Sequence, residues 1–497
     1  MFIGRERELK FLRDCYQSER AELVVVYGRR RIGKTELLKQ FSQGKQVVFY
    51  VCTECTNTEQ LERFSQKLLN TGMPAAKFLS KFPDWESALR SIADIPSIPS
   101  MSSMSSMPSE HADGNKADGK RGKRVLIIDE FPYMCKGNKE IPSILQNLWD
   151  HELKDRNIMI ILCGSSVSFM EDELLGEKNP LYGRATGIYK LNPLSFAETK
   201  KFFPDYTVED HLKAYAILGG IPYYLEQFDP HKNIADNIRH NILRKGCVLY
   251  NEVEFLLRQE LRETGVYNAI IEAVALGNNT LALISSKTQL EKSKITSYLN
   301  NLRELGIVER EFSVLAPVKE RVGSQRGLYK LTDAYFKFWY NFVFGSYSEL
   351  EAGDVDGVWV HQVEPHLHKF VSHIFENVCI DYLRQQNQDS RLPFHFTKIG
   401  RWWENVTHTV DGKKRTVAEE IDIIATDRSE KNFLLCECKF RHECADVDTL
   451  RHLQSKFPVN KYNGTYYYAI FSFYGFSKRL LDMAEKENVL LIDSSKL

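Results

Sequence analysis

Apolar and polar residues come in blocks along the first half of the chain. Leu23-Val24-Val25-Val26-Tyr27 is an uninterrupted, β-branched run, which reads as a buried strand. A glycine-bearing turn follows, residues 36–42 continue as a helix, and Gln46-Val47-Val48-Phe49-Tyr50-Val51 supplies the next strand. Arg124-Val125-Leu126-Ile127-Ile128, residues 157–163 and residues 187–191 repeat the strand signal, an α/β alternation. The alternation lapses between Ile95 and Lys123 into Ser, Met, Pro, Gly and Asp, with too little large apolar surface to fold alone. This predicts a surface insertion within the first domain. Residues 196–259 turn helical, broken by Gly219-Gly220-Ile221-Pro222-Tyr223-Tyr224, which suits either a hinge or a plain helix–helix turn.

Further on, residues 280–285 and 295–305 predict two short amphipathic helices, the second stopped by Gly306. Strand-like residues 307–312 and 328–331 then flank a loop, as in a winged helix. Near the end, Glu420-Ile421-Asp422-Ile423-Ile424-Ala425 and Phe433-Leu434-Leu435-Cys436-Glu437-Cys438-Lys439 read as two strands joined by a polar turn, and residues 466–471 as a further core strand.

Composition narrows the picture in three ways. A length of 497 residues predicts several domains. Lys plus Arg and Asp plus Glu both number 66, so any nucleic-acid surface must be a local patch. No run approaches the ~18 apolar residues of a membrane span, and no signal-peptide core opens the chain, so a cytoplasmic protein without membrane contact is expected. The ten cysteines are scattered, which predicts reduced thiols rather than a zinc site.

The chemistry begins directly after the first strand. Gly28-Arg29-Arg30-Arg31-Ile32-Gly33-Lys34-Thr35, with Glu36 behind it, is a complete phosphate-binding loop. Its glycines let successive N–H groups curl toward phosphate oxygens, and the following helix adds its positive end. Lys34 would reach the β- and γ-phosphates of ATP, and the Thr35 hydroxyl would ligate Mg²⁺. Asp129 and Glu130, at the tip of a later strand, would hold the metal and polarise the attacking water. Ser165, at the next strand's end, would sense the γ-phosphate, unless that segment is an ordinary turn. Arg184 would place its cation on a phosphate of its own or a neighbouring subunit, the latter implying a homo-oligomer, unless it is a surface arginine. Lys287, Lys292 and Lys294 by the second short helix, with Lys319, Arg321 and Arg326 in the loop beyond, predict DNA binding; a winged helix used only for packing is the alternative.

If the C-terminal hairpin is symmetric about its turn, Asp422 lies opposite Glu437 and Glu420 opposite Lys439. Strand alternation then puts all four on one face, with facing Cβ atoms roughly 5 Å apart. Facing carboxylates repel, and a divalent cation would remove the conflict. Asp422 and Glu437 would ligate a second Mg²⁺ or Mn²⁺ for phosphodiester cleavage, with Lys439 neutralising charge. An exposed charged hairpin on an inactive fold is the alternative.

Several motifs carry resemblances. Phe2-Ile3-Gly4-Arg5 with Glu8-Leu9, the GRRRIGKT loop, LIIDEFPY, LCGSS, PLYGR, NPLSF and GGIPYYL together resemble the archaeal-type ATPase family within the AAA-related, STAND-like signal-transducing NTPases. That resemblance implies a five-stranded parallel P-loop sheet whose acidic strand is separated from the loop-bearing strand by one other, followed by a helical lid. The D-x₁₄-E-x-K spacing, with Glu376 on an earlier helix, resembles the PD-(D/E)XK nucleases; the block from Tyr335 through Trp402-Trp403 to the CECK strand is similar to a domain of unknown function that follows this ATPase. The expected architecture is α/β: a P-loop core over 1–195 with an insertion at 95–123, a helical lid over 196–262, a winged helix over 263–345, and a restriction-endonuclease-like domain over 346–497. The expected function is ATP hydrolysis coupled to DNA binding and metal-dependent cleavage, or else a regulatory switch with a non-catalytic C-terminal module.

Overall fold

The computed structural model describes residues 2–96, 122–321, 327–410 and 413–497. Most of the expected insertion and Arg326 of the expected wing lie outside the described residues. The chain divides into two compact units, one running to Pro193 with Ile221–Tyr223, the other comprising Leu194–Gly220 with Tyr224–Leu497.

The first unit is built on five strands: β1 Glu22–Tyr27, β2 Val47–Val51, β3 Arg124–Asp129, β4 Ile158–Gly164 and β5 Gly187–Lys190. Their order is β2-β3-β4-β1-β5, and every pairing is parallel. The strand implied to separate β3 from β1 is therefore β4. Every residue of β1 and β4 is buried, which explains their unbroken apolar runs: helices cover both faces of a parallel sheet. Helices α1 Glu6–Gln17, α2 Lys34–Ser42 and α3 Phe131–Gly137 belong to this unit. Register puts Tyr27 level with Gly164 and Ile128 level with Leu162, so the C-terminal tips of β1, β3 and β4 end together. In a doubly wound sheet that edge is where ligands bind.

In the second unit, α4 Val208–Leu218 starts from a Thr207 cap. Helices α5 Leu281–Thr288 and α6 Lys292–Glu304 lead into the antiparallel pair β6 Val308–Glu311 and β7 Leu328–Leu331. Next comes α7 Ala334–Phe342, whose aromatic side chains are buried with their polar atoms paired: Tyr335 Oη donates to Leu249 O at 2.6 Å and Trp339 Nε1 to Tyr250 O at 2.8 Å. The long helix α8 Glu364–Gln388 precedes a second sheet, in which α9 Val447–Lys456 lies between strands in sequence. Its strands are β8 Lys398–Val410, β9 Lys413–Thr426, β10 Asn432–Lys439, β11 Thr465–Ser472 and β12 Leu490–Asp493, ordered β12-β11-β10-β9-β8. The β10-β11-β12 side is parallel and the β8-β9-β10 side antiparallel.

Two local expectations change. Strand β9 extends well before residue 420, because it pairs along its length with β8, a strand whose half-polar sequence gave no clear signal. Among the described residues, the first part of the loop after β6 is held against β8, while Lys319 is exposed. Val314 N–H donates to Arg401 O at 2.9 Å, Trp403 N–H donates to Ser313 Oγ at 3.3 Å, and Val314 is buried against Trp402. This strap pairs with the β8 edge, an unpaired row of backbone groups that would otherwise be exposed. Arg321 donates to Val314 O and Ala316 O, so its guanidinium braces the strap. Among the described residues no helix is long and apolar enough to cross a membrane.

Candidate nucleotide site and a second carboxylate centre

The loop from β1 to α2 is shaped by its glycines. At Gly28 a Cβ would lie 2.7 Å from Leu191 O, and Gly33, with φ +91°, starts α2 in a left-handed conformation. Lys34 curls back so that Nζ donates to Gly28 O at 2.8 Å and Arg29 O at 3.0 Å, acceptors that phosphate oxygens would replace. Burial pulls its ammonium below the usual lysine range, and Arg30 adds to the drop while Cys163, Glu130 and Asp129 oppose it. Ile32 is fully buried, and its carbonyl accepts from the Arg5 guanidinium at 3.1 Å. Arg5 also bonds Asn192 O and the Glu8 carboxylate. A buried arginine therefore braces the loop from behind, a role that its place in the opening motif does not reveal.

The acids arrive from the sheet. Thr35 Oγ donates to Asp129 Oδ2 at 2.7 Å, while Asp129 Oδ1 accepts from Glu130 N–H at 3.0 Å. Glu130 takes φ +55° at the cap of α3, which turns its carboxylate to accept from Ser165 N–H at 3.3 Å and Ser165 Oγ at 2.8 Å. Thr35, Asp129, Glu130 and Ser165 thus form one hydrogen-bonded chain across three strand tips. The Thr35 hydroxyl and Asp129 carboxylate offer the hard oxygen donors that Mg²⁺ takes, so these residues fit the metal. Arg30 Nη2 donates to Tyr133 Oη at 3.1 Å, and the Arg31 guanidinium lies 4.1 Å from the centroid of the Tyr223 ring. Glu36 is exposed and pairs with Lys39 at 3.7 Å. Arg184, expected on a phosphate, is tied down elsewhere: it forks onto Asp150, with Nε 3.0 Å and Nη2 2.8 Å from Oδ2, and Nη1 donates to Pro180 O and Tyr182 O.

The second centre sits in the C-terminal sheet. The β9–β10 ladder pairs Thr426 with Phe433 and ends with Ile423 opposite Cys436, so Asp422 and Glu437 are the next residues past its end. Asp422 Oδ2 accepts from Cys438 N–H at 2.7 Å. Lys439 Nζ donates to Glu437 Oε1 at 2.5 Å and Lys456 Nζ, from α9, to Oε2 at 3.0 Å. Glu420 turns instead to Arg401, at 2.5 Å across the β8–β9 pair, because β8 is its hydrogen-bonded neighbour. Burial, then the Glu437 carboxylate, pushes Asp422 up to about 6. Burial, then Asp422, pushes Glu376 on α8 up to about 8. Burial would raise Glu437 as well, but its two lysines outweigh that and hold it low. Lys456 escaped sequence reasoning because it lies on a different element from the hairpin. The metal fit is poorer here, because both Glu437 oxygens already have cationic partners.

A parallel sheet with a strand–phosphate loop–helix unit and two acids at a neighbouring strand tip defines a P-loop nucleoside triphosphatase. Residues 2–228 match the family described as an ATPase domain predominantly from Archaea, and residues 339–450 match a family of archaeal and bacterial proteins of unknown function. An uncharacterized protein of Methanocaldococcus jannaschii is 31% identical over 493 residues, covering 99% of both chains. Among solved structures, the Walker-type ATPase of Pyrococcus abyssi is similar with a TM-score of 0.48 at 21% identity, covering 68% of this chain and 96% of that one. The ORC2 protein of Aeropyrum pernix gives 0.39 at 13% identity, covering 72% and 95%. The chain belongs to the archaeal ATPase family, with ATP binding and hydrolysis as the activity of its N-terminal domain.

Proposed function

We propose that the chain is a Mg²⁺-dependent ATPase whose nucleotide state governs DNA binding by its second unit. The observation that carries the ATPase part is the Thr35–Asp129–Glu130–Ser165 chain beside the buried Lys34 ammonium. Mg²⁺, held by Thr35 and Asp129, would supply charge stabilisation on the phosphates. Lys34 exchanges the loop carbonyls for β- and γ-phosphate oxygens, and Glu130 orients the attacking water and takes its proton. Ser165 holds Glu130 in the meantime. Substituting Glu130 with Gln tests this: ATP binding measured by calorimetry should persist while turnover falls by roughly 10²–10⁴-fold.

The DNA reading rests on α6. Ile295, Leu299 and Leu302 bury one face of that helix, leaving Lys292, Ser293, Lys294, Ser297 and Asn300 exposed, with Lys287 exposed on α5. Cations and short polar donors on one helix suit phosphates and base edges. The test is duplex affinity across a salt series. Replacing Lys287, Lys292 and Lys294 with Ala should weaken binding and flatten the slope of log affinity against log salt; an unchanged slope would remove α6 from the interface.

A second reading adds phosphodiester cleavage at Asp422, Glu437 and Lys439, favoured by two half-buried carboxyls, Glu376 and Asp422, that desolvation and their neighbours push upward. Against it, the lysine pairs on Glu437 favour a fold that binds without cutting, as in a regulatory switch. Plasmid and single-stranded DNA incubated with Mg²⁺ or Mn²⁺ separate the two. Cleavage lost in Asp422→Ala establishes a nuclease, and identical behaviour of the two proteins establishes the binding module.

A further inference from the structure

Hydrolysis concentrates negative charge on the γ-phosphoryl group, and P-loop enzymes gain speed when a guanidinium neutralises it. Arg184 forks onto Asp150 and donates to two carbonyls, but it is not the chain's only guanidinium. The phosphate loop itself carries three consecutive arginines. Arg30 is held by a side chain of the acid-bearing segment. Its Nη2 accepts no proton and donates to Tyr133 Oη at 3.1 Å, and Tyr133 N–H bonds back to Glu130 O at 3.0 Å, so the tyrosine sits one helical turn beyond the water-orienting acid. That contact ties the guanidinium to the helix that Glu130 caps. The fold thus gathers like charges at one loop, a repulsion that a polyanion relieves.

We infer that Arg30 is the catalytic cation for the γ-phosphate, supplied in cis by the phosphate loop, and that Tyr133 is its positioning residue. The inference rests on the hydrolytic reading of the site given above. Water attacks the γ-phosphorus, the bond from that phosphorus to the β–γ bridging oxygen breaks with its electron pair leaving on ADP, and the water proton passes to Glu130. Arg30 offsets the charge that builds on the γ-oxygens and the bridging oxygen during that exchange. No second subunit is needed to supply an arginine.

The test compares Arg30→Ala, Arg30→Lys and Tyr133→Phe with Glu130→Gln in the full-length protein. Arg30→Ala should keep ATP affinity within a few-fold while kcat falls by about 10³-fold, the lower end of the arginine effect in this chemistry. It should also lose stable trapping of ADP with aluminium fluoride, a transition-state mimic, and regain part of its turnover with added guanidinium. Arg30→Lys should retain part of the rate, because charge remains but the fork is lost. Tyr133→Phe should lower kcat about tenfold with trapping weakened. Wild-type turnover in Arg30→Ala, or a fall in kcat with trapping intact and no guanidinium rescue, overturns the inference. Wild-type turnover in Glu130→Gln would instead overturn the hydrolytic reading on which it rests.

Discussion

The two centres of this chain use the same residue types in opposite proportions. Around the phosphate loop, cations predominate: Lys34 is buried against its own carbonyls, and Arg30 and Arg31 rest on tyrosines. Its acids hydrogen-bond hydroxyls and backbone N–H groups while acting on the Lys34 ammonium through space. In the C-terminal sheet Lys439 and Lys456 hydrogen-bond Glu437, and the cations that act on Asp422 and Glu376, Lys337 and Arg401 among them, do not outweigh the cost of desolvating those two half-buried acids. Desolvation penalises whichever charge is in excess. The first centre therefore gains from a polyanion, and the second from a proton or a cation. Finding a lysine and two acids together does not define a chemistry; which of them loses more to desolvation than its counter-charges return does.

The largest expected effect breaks the first half of that contrast. Lys34→Ala removes the one ammonium buried within the loop, and ATP turnover should fall by at least ~10²-fold, with calorimetric ATP binding lost or greatly weakened. Undiminished hydrolysis would mean that the nucleotide site has been misassigned.

An intermediate effect is expected at Glu437. Its side chain is only 5% exposed and balances Lys439 and Lys456, which are 22% and 13% exposed. Glu437→Ala leaves both ammoniums to Asp422 alone while relieving repulsion on that acid, so a net loss of about 2 kcal/mol is expected from urea unfolding. Adding Lys456→Ala should cost less than the two separate losses combined. Strict additivity would show that the three charges do not act together.

Legibility in the sequence divided along physical lines. The loop, the acidic strand tip and the five sheet strands could be read because each is a local signal: an unbroken apolar run, a glycine at a strained turn, an acid at a strand's end. The direction of the C-terminal pairing could also be read, because a short turn fixes register, and Thr426 opposite Phe433 follows from it. Contacts made across elements could not. Arg184 on Asp150, Arg5 on Ile32, Arg401 on Glu420 and Lys456 on Glu437 join residues whose spacing carries no periodic signal. Strand β8 was missed for a related reason: Trp402 and Val406 are buried in it, but the polar residues between them hide the alternation.

The smallest effect is a change of slope, and it sharpens the second half of the contrast. Glu376 is raised to about 8 from an ordinary value near 4.5, so the folded chain holds a proton that the unfolded chain releases. Stability from this group is intact below the unfolded value and is lost as pH rises through the folded one, because the native state binds more protons across that window. Asp422, raised to about 6, contributes in the same direction over a lower range. Glu376→Gln removes the larger part, so the thermal midpoint of the variant should decline less than wild type between pH 5 and pH 8, by a few degrees. A divalent cation bound between these carboxyls would favour their ionised forms, so Mg²⁺ or Mn²⁺ should raise the wild-type midpoint more at the alkaline end than at the acid end. Parallel pH profiles for the two proteins would mean that Glu376 is ionised in the folded state. A steeper wild-type decline with no metal response would leave the proton as the ligand of this centre, and the binding module as its use.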